Sequence, residues 1–300
     1  MKSLTDLTGL SESNRNIHLL DPEAEDKSNR LKIAEVTCKN ALVKSGIEGV
    51  DYALNPYTGC QHACIYCYAE FMKKYTHHTE PWGEFVDVKI NLADRLSQQV
   101  KKTKPGTVMI GTVTDAYQPV ERKFRLTRQC LEILSHTNFP VFIQTKSDLI
   151  LRDIDVLKKI KNKEVGMTIT CPDACVEELF EPGASDLERR FEALAQLKGS
   201  GISTFVFFGP ILPYFSDGIK SLMSVFERLD KIGIKHVYLD KMNYLKGKFA
   251  RIKTILGNDY PVALPFYESV INQPERYEQW LKANLKSVLL DFSFDSDPVF

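Results

Sequence analysis

The sequence predicts an α/β fold, a partial barrel of TIM type with about six β/α units, carrying N- and C-terminal extensions. Three observations support this. Short β-branched or aromatic runs alternate with longer amphipathic stretches along most of the chain, as parallel strands joined by right-handed helical crossovers require. The repeat stops short of the eight units that close a full barrel. A chain of 300 residues with 43% hydrophobic content can bury one large core.

The elements follow in order. A first strand is expected near Val50–Leu54, then Val108–Thr114, Val141–Lys146, Val165–Cys171, Thr204–Ile211 and His236–Met242. The helical patterns between them are Lys123–Thr137, Ile154–Lys161, Asp186–Gly199 and Ser216–Ile232. Residues 1–37 read as a loosely held polar arm, 38–250 as the barrel core and 251–300 as an extension packing on the barrel. That extension has helical pattern over Glu275–Leu290, then an acidic, aromatic end with Asp291, Asp295 and Asp297, placed to cap the barrel mouth as a lid or partner patch.

Composition narrows the function. No apolar run approaches a membrane span and the start is polar, so a cytoplasmic protein without membrane association is expected. Lys+Arg and Asp+Glu both count 39, so no global field favours nucleic acid, although a local basic patch stays open. Lys101, Lys102 and Lys104, and Lys158, Lys159, Lys161 and Lys163, read as solvated helix ends. Seven cysteines, an odd number, argue against a disulfide framework.

Cys60, Cys64 and Cys67 lie within eight residues, with Tyr66 before the third. Three soft ligands in a short loop suit an iron–sulfur cluster, and three rather than four leave one metal position open for chemistry. Zinc on the three thiols plus His62 is the alternative, though no second C-x2-C is present to complete the usual paired knuckle. Cys171 and Cys175 lack further partners for a second cluster. The pair His77-His78 reads as solvent-exposed side chains pointing apart.

Polar residues recur where strands end, the face at which such barrels place their chemistry. The second strand ends Gly111-Thr112-Val113-Thr114-Asp115, where Asp115 could equally cap a turn. Lys146, directly after the third strand, can reach an anion at the barrel mouth or snorkel to solvent. Thr168 and Thr170 share a face of the fourth strand. Arg190 has the shape to clamp a carboxylate, or could pair with Asp186 on the helix surface.

The run Asn55-Pro56-Tyr57-x-Gly59-Cys60-x-His62-x-Cys64-x-Tyr66-Cys67-Tyr68-Ala69 resembles the cluster loop of radical S-adenosylmethionine (SAM) enzymes, in the spore photoproduct lyase branch. Trp82-Gly83, Val88-Lys89-x-Asn91, Thr114-Asp115, Thr145-Lys146-Ser147, Arg152-Asp153 and Phe180-Glu181-Pro182-Gly183 extend the resemblance over roughly residues 38–245. It implies that Cys60, Cys64 and Cys67 hold a [4Fe-4S] cluster whose fourth iron binds SAM. Thr114, Lys146, Thr168 and Arg190 fall where those enzymes bind the cofactor's polar groups, and Tyr66 where an aromatic meets its adenine. The implied activity is reductive cleavage of SAM to methionine and a 5′-deoxyadenosyl radical that abstracts hydrogen from substrate, with ferredoxin or flavodoxin as reductant. One departure stands out. Photoproduct lyases carry a hydrogen-donating cysteine near the end of the second strand, where this chain has threonine, at Thr112. A hydroxyl O–H bond is too strong to replace it, so lesion repair is doubtful; Cys171 and Tyr117 are the substitute donors to consider. The rival readings are a DNA photoproduct lyase proper, a non-catalytic electron-transfer protein and a zinc-stabilised interaction module.

Overall fold

The computed structural model describes residues 31–298 and Phe300. The polar arm expected over residues 1–37 lies outside the described residues as far as residue 30. Its last part is not an arm: Lys32–Val36 is a strand, β1. Ten more follow: β2 (Val43–Lys44), β3 (Tyr52–Leu54), β4 (Tyr57–Thr58), β5 (Phe85–Lys89), β6 (Val108–Ile110), β7 (Val141–Thr145), β8 (Lys163–Ile169), β9 (Ser203–Ile211), β10 (His236–Lys241) and β11 (Asp295–Pro298).

The main sheet runs β11-β10-β9-β8-β7-β6-β3-β2. Seven of its strands, β3 and β6 to β11, are joined by parallel pairings, and its edges β2 and β11 do not meet. The barrel is therefore open, as the sequence predicts. A second sheet, β1-β5-β4, has no counterpart in the predicted elements. Its strands are too short to show a period of two.

The crossovers are α1 (Leu92–Gln99), α2 (Glu121–Phe124), α3 (Leu126–Leu134), α4 (Ile154–Leu157), α5 (Ala174–Phe180), α6 (Leu187–Gly199) and α7 (Ile219–Ile232). The helix expected over Lys123–Thr137 is broken at Arg125, whose φ of 54° lies in the left-handed region. Lys101, Lys102, Lys104, Lys158, Lys159 and Lys161 are exposed, as expected of solvated helix ends. The fold closes with α8 (Leu245–Asp259), α9 (Leu264–Asn272) and α10 (Pro274–Leu289), so a helix crosses the boundary expected at residue 250. Among the described residues, no helix is long and apolar enough to cross a membrane.

Strand register determines what faces the barrel interior. Met109 pairs with Phe142, Gln144 with Gly166, Gly166 with Phe205, and Thr168 with Phe207, so these side chains share one face. Val108, Ile110, Val141, Ile143, Val165, Met167 and Ile169 take the other face and are buried. The inner face is aromatic lower down: Phe142 stacks on Phe205 at 4.5 Å and Tyr238 meets Phe205 edge-on at 5.3 Å. Gly166 makes room for this cluster, because a Cβ there would overlap the Phe205 ring. Higher up, Met109, Gln144 and Thr168 line a cleft.

The C-terminal tail does not cap the mouth. β11 pairs with β10 from His236 onward, and Phe292 and Phe294 pack on Phe226 of α7 at 5.8 and 5.6 Å. An open parallel sheet leaves an edge with unpaired backbone groups, and the tail covers it. α10 is held by a buried polar contact: Tyr277 Oη donates to Asp217 Oδ2 at 3.1 Å, and the Tyr214 N–H donates to the same oxygen at 3.0 Å. Burial pushes the Asp217 carboxyl up to about 7, against these two donors. The folded state thus keeps a proton that the unfolded chain loses above about pH 4, so stability must fall as pH rises from about 4 to about 7. Urea unfolding across that window should show the decline, to which Asp217 contributes on the order of 4 kcal/mol. Asp217→Asn should remove this contribution, flattening the profile relative to wild type.

Candidate active site

Gly59–Cys67 links β4 to a 3-10 turn over Tyr68–Tyr75 and contains no helix or strand of its own. Gly59 has φ +86°, and a Cβ there would overlap the Phe85 carbonyl, so no other residue fits. Two tight turns, Ala63 N–H to Cys60 O at 3.2 Å and Cys67 N–H to Cys64 O at 3.1 Å, fold the loop. They bring Cys60, Cys64 and Cys67 to one cleft, which also receives Lys146 and Thr168. Cys60 and Cys64 are buried, Cys67 half-buried, and none forms a disulfide. Burial pushes the Cys60 thiol up to about 12, with Asp115 and Cys67 adding to it. Burial likewise raises Cys64 and Cys67. Deprotonated thiols in so dry a site need a compensating metal charge. Trp82 Nε1 is buried without a hydrogen-bond partner, in a ring that packs with Cys60 and Cys67. An orphaned N–H beside three unpaired thiols fits a sulfide-bearing group.

His62 is otherwise engaged: its Nδ1 lies 3.3 Å from Asp115 Oδ2, and both residues are buried. Among the described residues, no three His, Cys, Asp or Glu side chains converge to hold a single metal ion. Asp115 is more than a turn cap. Its Oδ1 accepts from the Tyr117 N–H at 2.8 Å and from Thr145 Oγ1 at 2.7 Å, and its Oδ2 from the Lys146 N–H at 2.9 Å. Burial alone would raise this carboxyl, but His62 and these donors hold it well below the usual carboxylate range.

The expected site residues divide. The strand before Thr112 ends at Ile110, yet the following turn still carries Thr112 and Thr114 into the cleft. Thr112 Oγ1 accepts from Asn55 Nδ2 at 2.9 Å. Thr114 Oγ1 donates to Gly59 O at 2.6 Å, so its proton fastens the cysteine loop rather than serving a bound molecule. Thr168 Oγ1 accepts from Gln144 Nε2 at 3.1 Å and keeps its own proton available. Lys146 Nζ stands 5.8 Å above the Tyr66 ring, with no ion pair or hydrogen bond among the described residues. Burial works to lower its pKa, but Cys64 and Glu181 outweigh this and raise it, so the lysine is charged.

Four others do not line the cleft. Arg190 does not pair with the Asp186 side chain. It is 1% exposed, its Nη1 lies 2.8 Å from Glu177 Oε1 and 2.5 Å from Glu181 Oε2, and it donates to the Ser185 and Thr168 carbonyls. Burial pushes Glu177 up to about 8 despite Arg190, whereas Arg190 and Lys146 overcome burial to keep Glu181 low. Arg190 and Glu181 are the charged pair. Tyr66 donates its hydroxyl to Glu181. Cys171 is buried, with Sγ accepting from the Asp173 N–H at 3.4 Å. Tyr117 is fully buried, near Asp153 and Glu121.

His78 is not solvent-exposed as expected. Its Nδ1 lies 3.0 Å from Glu80 and its Nε2 2.8 Å from Asp87, and the ring stacks on Phe85 at 4.2 Å. Sequence reasoning missed Gln118, Asn55 and Tyr68. Tyr68 lines the cleft, half exposed, and donates to the Thr112 carbonyl. Asn55 and Tyr68 sit inside the cysteine motif itself, but an amide and a phenol there announce no chemistry.

The sequence profile of the Radical SAM superfamily matches residues 54–239. The chain belongs to that superfamily. An uncharacterised protein of Methanocaldococcus jannaschii is 37% identical over 190 residues, covering 63% of this chain and 71% of its own. A radical SAM Nα-GlyT isomerase of Pseudomonas phage M6 is 24% identical over 186 residues, covering 61% of this chain and 37% of its own. Among solved structures, spore photoproduct lyase complexed with dinucleoside spore photoproduct aligns with a TM-score of 0.67 at 16% identity, over 95% of this chain and 87% of that one. A mutant of that lyase with bound AdoMet gives 0.68 at 14%, over 96% and 87%. At such identity these two establish a shared fold.

In this radical SAM protein, Arg190 is a structural residue. Removing one partner of a buried ion pair strands the other charge, at a cost of about 3–5 kcal/mol. Arg190→Ala should therefore lower the free energy of urea unfolding by that amount before any ligand is added. A change below about 0.5 kcal/mol would contradict the assignment.

Proposed function

We propose that this protein is a radical SAM enzyme in which Cys60, Cys64 and Cys67 hold a [4Fe-4S] cluster and SAM binds beside it. The observation that carries this reading is the convergence of three unpaired thiols, two buried and one half-buried, and one lysine without an ion pair on a single cleft. When bound, the cluster supplies the electron that cleaves SAM reductively to methionine and a 5′-deoxyadenosyl radical, which takes hydrogen from substrate. The chain's own residues supply placement. Lys146 offers its ammonium to the methionyl carboxylate, and Thr168 offers the hydroxyl proton that Gln144 leaves unused. Trp82 packs with Cys60 and Cys67 and offers a buried, unused N–H, and the aromatic cluster below Met109 and Gln144 excludes water from beneath the cleft. The electron donor is a ferredoxin or flavodoxin, and the compartment is the cytoplasm, where thiols stay reduced.

The substrate is an organic molecule that presents a C–H bond at the cleft. Repair of a DNA photoproduct is the second reading, supported by the lyase-like fold. Against it stands Thr112, at the cleft where a thiol would have to give hydrogen. Cys171 and Tyr117, both buried off the cleft, do not substitute for that thiol.

Anaerobic reconstitution with iron and sulfide, then dithionite and SAM, should give 5′-deoxyadenosine by chromatography. Cys64→Ala should abolish it. A colourless protein that retains zinc would overturn the reading, and a brown one that forms no nucleoside would favour electron transfer.

A further inference from the structure

We propose that Gln118 is a positioning residue of the cysteine site: one buried carboxamide fixes the backbone on both sides of Cys60 and so sets where that sulfur stands. The inference rests on the reading of this loop as the cluster site.

Gln118 lies in the turn after β6 and is fully buried. Its Nε2 donates to Gly59 O at 3.2 Å and to Thr114 Oγ1 at 2.8 Å, and its Oε1 accepts from the Gln61 N–H at 2.9 Å. Gly59 and Gln61 are the two neighbours of Cys60. The clamp is reciprocated, because Gln61 Oε1 accepts from the Val120 N–H at 2.5 Å. A buried amide is tolerated only when its polar atoms are satisfied, and here each is used on the loop or on Thr114, which also holds Gly59.

The rest of the loop is held elsewhere. Ile65 N–H donates to Phe180 O at 3.0 Å, and Gly183 N–H to His62 O at 3.1 Å. A Cβ on Gly183 would overlap Gln61 O, so the linker between α5 and α6 lies directly against the loop. The Cys60 backbone is thus flanked by bonds to Gln118, while His62 and Ile65, on either side of Cys64, are held by the α5–α6 linker and the end of α5. A fault at Gln118 should misplace one thiol of the three. Groups that orient metal ligands from behind change metal affinity by about 10–100-fold when lost.

The experiment uses the full chain with Gln118→Met, which keeps length but forms none of these bonds, and Gln118→Glu, which keeps the acceptor for Gln61 but loses the donor for Gly59. In apo protein, alkylation by iodoacetamide is followed thiol by thiol by mass spectrometry. Cys60 should react about tenfold faster in Gln118→Met, on the order of the effect above, with Cys67 and the buried Cys130 unchanged. After reconstitution, iron release to a chelator should be about tenfold faster, and the electron paramagnetic resonance spectrum of the reduced cluster with SAM should differ from wild type. Gln118→Glu should show the same selectivity if the methionine variant does not fold. Equal acceleration at all three thiols, or rates and spectra matching wild type, would overturn the inference. If wild type takes up no four-iron cluster, the function reading fails, while Cys60-selective alkylation still decides the role of Gln118.

Discussion

The buried carboxylate of Asp115 joins the parts of this site that no regular secondary structure connects. Its two oxygens receive four contacts, from His62 of the cysteine loop, from the Tyr117 N–H of its own turn, and from Thr145 and the Lys146 N–H at the end of β7. A charge so deep is costly unless every lone pair is used. Because each is used, the contact fixes geometry: the thiols and the Lys146 ammonium share a common anchor. Shifting either strand end would leave an unsatisfied ion inside the fold.

A second buried charge network supports the opposite wall. Arg190 and Glu181 form the ion pair, Tyr66 hydrogen-bonds to Glu181, and the Tyr66 ring lies below Lys146. Arg190 thus acts on the cleft through two intermediaries. A buried arginine whose Nε and Nη1 are engaged by two carbonyls and two carboxylates orders its neighbours. The same network explains why the segment Phe180-Glu181-Pro182-Gly183 lies against the cysteine loop, since Glu181 is drawn to Arg190 and Gly183 permits the close approach.

The open barrel gives these networks their setting. Its inner face is closed by aromatic rings around Gly166 and becomes polar only where Gln144 and Thr168 reach the cleft. β11 completes the edge of the sheet, while α8 reaches the cysteine loop, with Lys248 paired to Glu70 and Arg251 donating to the Ala63 carbonyl at 3.5 Å; Tyr68 and the strand-end turns line the cleft.

The strand and helix alternation was legible because burial on parallel strands and amphipathic crossovers impose periods that a sequence must carry. The cysteine spacing was legible because a thiol has few other reasons to recur so closely. Strand ends drew attention to Thr114, Lys146 and Thr168, and all three reach the cleft. Arg190, Tyr66, Cys171 and Tyr117 do not line the cleft, because helix and loop residues can turn to either side, and charge partners distant in sequence decided the direction for Arg190 and Tyr66. Gln118 was invisible, since an amide has no chemistry until its partners are known. By itself the sequence determined the barrel, the thiol loop and the strand-end polarity, all local patterns of periodicity and spacing. Only the tertiary structure decided which polar groups were already spent on one another, because hydrogen-bond satisfaction is settled between segments that meet in space alone.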